Sequence, residues 1–337
     1  MKIMILTQAL LNNYGCLLQN YALQKVLKNM GCDVLTVDFR QKNYYVPLIP
    51  VLINRALAKI LNLFGFRLNK KTIPRFQKRK PQLDLFVKEN IKLSNPVSKY
   101  SAKIIRKYRA QAFVVGSDQV WRPKFNHYLE DMYLQFTNDH SVKRIAYAAS
   151  FGVDEWEYTA EQTRGCSALA KKFDSISVRE ESGVKLCKEH LGVDAAWVLD
   201  PTLLLDKSDY LDLCKDIPEP SEKHLAAYVL GMNEDVQRTC EKIANEKGLI
   251  LKVFSADSKV SLSVPEWLAM FRDASYVVTD SFHGTVFSII FGKEFKCIYN
   301  EVRGAARFES LLNLYYSGKL EEKRQFSLNW LKNALET

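Results

Sequence analysis

What this sequence lacks narrows it quickly. No stretch approaches the ~18 consecutive apolar residues of a membrane-spanning helix. The opening run Met1-Lys2-Ile3-Met4-Ile5-Leu6-Thr7 is too short for a secretory signal and reads as a first strand. Neither G-x-G-x-x-G nor a P-loop occurs, so the commonest nucleotide cradles are missing, and no G-x-S-x-G elbow marks a serine hydrolase. Helix-turn-helix, zinc-finger, RRM and KH signatures are absent too, which argues against a nucleic-acid partner. The seven cysteines (Cys16, Cys32, Cys166, Cys187, Cys214, Cys240 and Cys297) are odd in number and include no C-x-x-C pair. They read as reduced core thiols of a cytoplasmic protein, not as a disulfide framework or a zinc site. No His, Cys, Asp and Glu cluster has metal-ligand spacing, so neither a metal nor a resident cofactor is expected. Fourteen Gly and ten Pro exclude a collagenous or low-complexity chain.

What is present is a chain of 337 residues, enough for two domains of ~150 residues each. The formal net charge of +10 is concentrated: residues 40–109 carry 18 Lys and Arg against only Asp84 and Glu89. Residues 1–39 are close to neutral and everything after residue 109 is net acidic. A concentrated basic segment attracts an anionic partner, whether phosphorylated substrate or acidic bilayer, or serves as a solvated face. Within it, the apolar stretch Leu48–Phe66 is followed by the polybasic run Arg67, Lys70, Lys71, Arg75, Lys78, Arg79 and Lys80. That order suits either a packed helical insertion or a peripheral contact with an anionic membrane through residues 48–80.

Periodicity alternates between strand and helix on either side of this segment. Lys2–Thr7, a helix over Gly15–Met30 closed by Gly31, and Val34–Asp38 make a βαβ unit and hence a parallel sheet. Ala112–Val115, Ile145–Ala149 and Ser175–Val178 continue it. A second series runs from His224–Leu230 through Leu249–Phe254, Tyr276–Thr279 and Phe295–Ile298, with helices between. The reading is an α/β chain of two doubly wound, Rossmann-like domains. The first, residues 1–205, carries a basic, partly helical insertion at 41–109. The second covers 206–310, and C-terminal helices over 311–337 pack back on both.

Four strand ends carry candidate chemistry, because open parallel sheets bind ligands beyond the carboxyl ends of their strands. Asp280, Ser281, His283 and Gly284 follow a buried β-run and open a helix, whose first amides can cradle an anion beside a histidine able to move a proton near neutrality. Arg179 follows another strand; its planar fork suits a phosphate or carboxylate, or else a surface pair with Glu180 or Glu181. Ser117, Asp118, Gln119 and Trp121 form the third group, either hydroxyl ligands with a stacking ring for a sugar or plain turn chemistry. Asn13 and Tyr14 sit in the first βα turn. Arg303 and Arg307 follow the last strand and can add positive charge to the same pocket or pair at the surface.

Taken in order, Asn13-Tyr14-Gly15 with Leu18-Gln19-Asn20-Tyr21-Ala22-Leu23, Gly116-Ser117-Asp118-Gln119-Val120-Trp121, Ser177-Val178-Arg179-Glu180, Val198-Leu199-Asp200-Pro201-Thr202 and Asp280-Ser281-Phe282-His283-Gly284 resemble the polysaccharide pyruvyl transferase family. The resemblance implies a GT-B-like fold, two Rossmann-like domains facing across a cleft, with the acceptor on the first domain and the donor on the second. It implies transfer of pyruvate from phosphoenolpyruvate to a sugar of a bacterial cell-surface polysaccharide or its precursor, forming a ketal. His283, Arg179 and Asp118 are then the expected catalytic residues. The acceptor is expected to be a saccharide, one presented lipid-linked at the inner face of the cytoplasmic membrane being the simplest case. A nucleotide-sugar glycosyltransferase of the same architecture, or a non-catalytic glycan- or membrane-binding module, are the alternatives.

Overall fold

A computed structural model describes residues 1–45, 73–126, 128–255, 261–298 and 305–336. The chain begins with β1 (Lys2–Leu6) and β2 (Asp33–Thr36), then an antiparallel ribbon of β3 (Lys42–Tyr45) and β4 (Ile73–Phe76). β5 (Ala112–Val115), β6 (Lys143–Ala149), β7 (Ser175–Val178) and β8 (Ala196–Trp197) follow. Short apolar runs such as Ile3-Met4-Ile5-Leu6 are buried on both faces, as strands sandwiched between helix layers must be. All six strands outside the ribbon are parallel, in the order β2-β1-β5-β6-β7-β8. The second sheet is also parallel: β9 (His224–Tyr228), β10 (Ile250–Phe254), β11 (Tyr276–Thr279) and β12 (Phe295–Cys297), in the order β10-β9-β11-β12.

Each order reverses once, between β1 and β5 in the first sheet and between β9 and β11 in the second. Loops diverge at such a point and leave a crevice at the strand ends. The two crevices face each other, which is the two-Rossmann-domain arrangement the sequence suggests. One continuous apolar core joins the halves. It runs from Ile5 and Leu17 under the first sheet to Trp267 and Phe287 under the second. Tyr14 stacks on Trp267 at 5.3 Å between ring centroids, and its hydroxyl donates to the Leu262 carbonyl at 2.7 Å. The last helix, Leu320–Glu336, returns to the first sheet: Leu199 N donates to Ser327 Oγ at 2.9 Å and Lys143 Nζ to the Leu335 carbonyl at 2.7 Å.

Of the basic insertion, the stretch from 46 to 72 lies outside the described residues, and with it Arg67, Lys70 and Lys71 of the membrane-facing set. The described part is β3, β4 and the helices Pro81–Asn90 and Lys103–Tyr108. Arg79 departs from the expected lipid-facing role. Its side chain is buried, with Nη2 2.8 Å from Asp38 Oδ1 and Nη1 3.2 Å from Asp84 Oδ1, and Nε donates to the Leu10 carbonyl. A carboxylate as buried as Asp38 needs a cation, and that need outweighs any attraction to a distant surface. Among the described residues, no helix is long and apolar enough to cross a membrane.

Candidate functional site

The helix Phe282–Phe291 begins where β11 ends. Thr279 Oγ1 donates to the Tyr228 carbonyl at 2.6 Å, locking β11 to β9, and Ser281 caps the helix by accepting from Gly284 N. Gly284 is buried beneath the turn, where a Cβ would come within 2.2 Å of Thr279 Oγ1, so only glycine lets the helix start this close to its strand. Asp280 accepts from Leu230 N at 2.6 Å and Gly231 N at 2.8 Å, fixing the two loops of the second crevice to each other.

Opposite, the helix Tyr14–Asn29 is capped by Asn13, whose side chain accepts from Cys16 N at 3.1 Å. Its first turn brings Gly15 against His283: a Cβ on Gly15 would stand 2.1 Å from His283 Nδ1. Gly15 is therefore one of the contacts through which the imidazole reaches across to the first domain. His283 Nε2 is turned the other way, buried and 3.7 Å from Asp200 Oδ2, an ion-pair distance and not a hydrogen bond.

Asp200 is the hub of the site. Oδ2 accepts from Arg179 Nη1 at 2.8 Å and from Ser117 Oγ at 3.1 Å, while Oδ1 accepts from Thr202 N and Oγ1. Burial opposes its ionisation, yet His283, Arg179 and Thr202 together hold the carboxyl well below the usual range. Asp118 behaves alike: burial is opposed by Arg179, 3.2 Å away through Nη2, then by His283 and Arg307, and the net direction is down. Arg179 is thus gripped by two carboxylates, with its guanidinium 4.6 Å from the Phe282 ring centroid.

A cleft of about 400 Å³ lies over this cluster, and residues of both domains line it. Asn13, Asp118, Gln119, Lys124 and Phe125 come from the first domain. Asp280, Ser281, His283 and Tyr228 come from the second, with Arg307 at the start of the helix Ala306–Tyr316. Burial and the neighbouring Arg179 pull the Arg307 guanidinium down to about 10, against the pull of Asp118 and Glu180. A cation placed this way gains from an incoming anion.

Most of the residues singled out from sequence meet here, but five of the described ones do not line the cleft, Gly284 among them because it lies buried beneath its turn. Trp121, expected to stack on a sugar, is fully buried and stacks on Tyr133 at 4.7 Å instead. Its indole N–H donates to the Met132 carbonyl, so the ring and its polar handle are both used inside. Tyr14 packs between the domains, and Ser117 spends its hydroxyl on Asp200 and the Ala148 carbonyl. Arg179 lies beneath the cleft, paired, and not open to it. Arg303 lies outside the described residues. Sequence reasoning missed Gly15 and Asp200 as site residues, though both stand in the quoted strings, and it missed Lys124, Phe125 and Tyr228. Asp200 was the discoverable one, since an Asp before Pro-Thr at a strand end is a capping residue able to face inward.

The S. aureus MnaA–UDP co-structure superimposes with a TM-score of 0.50 at 10% identity, over 97% of this chain and 91% of that one. A UDP-GlcNAc 2-epimerase from Neisseria meningitidis gives 0.44 at 10% identity, over 98% and 94%. The Streptomyces glycosyltransferase SsfS6 gives 0.38 at 9%, over the whole of both chains. At 10% identity the likeness to MnaA speaks to the fold alone. No curated protein matches the chain. The family model for polysaccharide pyruvyl transferase matches residues 13–301, from the capping Asn13 to just past β12, so this chain belongs to the polysaccharide pyruvyl transferase family.

Proposed function

We propose that the cleft transfers pyruvate from phosphoenolpyruvate to two hydroxyls of one sugar, releasing inorganic phosphate and leaving a cyclic ketal. The observation that carries this reading is the convergence, in one cleft, of the His283 turn with cations from both domains above a pair of ionised carboxylates. The donor's phosphate and carboxylate are met by Arg307, Lys124 and the first amides of the Phe282–Phe291 helix. His283, whose ring lines the cleft beside Asp200, delivers a proton to the methylene carbon, which becomes the methyl group. The first sugar hydroxyl bonds to the adjacent carbon as the double bond takes up that proton. The C–O bond to phosphate then breaks, and the second hydroxyl closes the ring. One hydroxyl proton replaces the one His283 gave, and the other leaves on hydrogen phosphate, so charge and atoms balance. Asp118, at the rim beside Gln119, accepts a sugar hydroxyl proton in this scheme. Arg179 is a positioning residue that holds Asp118 and Asp200 in place.

The test is incubation of the purified protein with phosphoenolpyruvate and fragments of neutral bacterial cell-surface polysaccharide. Phosphorus NMR should show inorganic phosphate, and proton NMR a new methyl singlet on the glycan. Release of nucleotide from a nucleotide sugar, with phosphoenolpyruvate untouched, would overturn the reading in favour of glycosyl transfer.

A further inference from the structure

The cleft does not end at the catalytic cluster. A second depression of about 260 Å³ shares Asn13, Asp118, Gln119 and Phe125 with it, and adds Gln8 and Cys16. A third, of about 250 Å³, shares Gln8 and Phe125 with the second and reaches Phe39, Gln41, Gln77, Tyr100 and Tyr128. Phe125 lines all three, so they form one trough along the switch point of the first sheet.

The chemistry changes along it. The first depression has Asp118, Lys124, Asp280, His283 and Arg307 on its walls, whereas none of the described residues lining the third is charged. Its polar groups there are amides and hydroxyls, between aromatic rings. Phe125 and Tyr128 are 50% and 59% exposed, so two aromatic rings on this wall are open to a ligand. Tyr100 is nine-tenths buried and more, held between Phe39 (4.9 Å, 9°) and Phe136 (5.6 Å, 19°), yet its hydroxyl has no hydrogen-bond partner. A buried phenol hydroxyl left in that condition is costly unless something supplies a partner.

We infer that this trough is an extended subsite for a neutral oligosaccharide. Its far end holds sugar units beyond the one at His283: ring faces rest on Phe125 and Tyr128, and hydroxyls bond to Gln41, Gln77 and the Tyr100 hydroxyl. Sugars present both an apolar face and a rim of hydroxyls, which is what this wall accommodates, while a phosphate or carboxylate would meet no cation among its described lining residues. Calling the ligand the acceptor rests on the function proposed above; the neutral-saccharide site does not.

The full-length protein is tested on an array of neutral and acidic bacterial glycans, from monosaccharides to hexasaccharides, with phosphoenolpyruvate binding followed separately by calorimetry. Neutral glycans of two or more units should bind more tightly than monosaccharides. Tyr100→Phe and Gln77→Ala, which each remove one hydrogen-bonding group, should weaken that binding roughly five- to tenfold and leave phosphoenolpyruvate binding unchanged. Binding of acidic glycans only, of none, or equal binding by both variants and the parent protein overturns the inference. Neutral-glycan binding without any heat from phosphoenolpyruvate would instead remove the donor assignment and leave the trough standing.

Discussion

The two ends of the trough are built on opposite electrostatic terms. At the His283 end, buried charge is concentrated: Arg179 bridges Asp118 and Asp200, His283 borders Asp200, and Arg307 closes over Phe282. At the Tyr100 end, polarity is carried only by neutral groups among the described lining residues. A charged site is expensive to assemble and loses function when one member moves, because each charge is desolvated on the assumption that the others stay. A neutral groove tolerates change and loses affinity in small steps. Substitutions at the two ends should therefore differ in size and in kind.

The largest effect is expected at Gly15. A methyl group there would collide with the His283 ring, although the helix backbone accepts alanine readily. Gly15→Ala should lower turnover about as much as His283→Ala, by roughly 10²–10⁴-fold. Far-UV circular dichroism should be unchanged, and phosphate release is the readout. Near-parental turnover by Gly15→Ala would mean that the position of the ring does not matter.

Next comes Arg179→Ala, which leaves Asp118 and Asp200 facing each other in a buried site. It should destabilise the fold by about 3–5 kcal/mol at neutral pH. Both carboxyls are held below their ordinary range, so in the parent protein the unfolded chain binds more protons than the native one in acid. Stability from this cluster is therefore complete above pH ~4 and is lost as the pH falls below it. Without Arg179 that dependence shrinks, and the stability gap between parent and variant should narrow on acidification. Urea melts at neutral and acidic pH give the answer; a gap that is constant or widens would contradict the pairing.

A smaller change is expected from Arg307→Ala. The KM for phosphoenolpyruvate should rise about ten- to a hundredfold, while neutral-glycan binding at the far end holds. Parallel loss of both would erase the distinction between the two ends.

Much of the fold was legible because it is written in short apolar runs. Ile3–Leu6, Ala112–Val115, Ser175–Val178 and Tyr276–Thr279 are strands whose boundaries follow directly from where polarity begins. The short elements were not legible: β8 has two residues, and Lys207–Cys214 is held by packing of Tyr210 on Phe287, not by a strong period of its own. At the site, residues at strand ends were visible, since the carboxyl edge of a parallel sheet is known once its strands are. Depth was not. Trp121 and Gln119 stand two apart in one loop, yet one is buried in a stack with Tyr133 and the other lines the cleft, and only the 3₁₀ turns that follow decide which. Asp200 acquires its role from Arg179, Ser117 and His283, residues on three other elements, so a local reading of Val198–Thr202 can mark it as an inward-facing cap but not name the partners that make it the hub.

The shared core under the two sheets has a consequence for how the molecule comes apart. Tyr14 on Trp267, and the final helix returning to Leu199 and Tyr147, leave neither half with a finished surface of its own. Heating should therefore not melt one sheet before the other. The calorimetric and van't Hoff enthalpies should coincide, and the whole chain should denature as one cooperative unit despite having the size and topology of two.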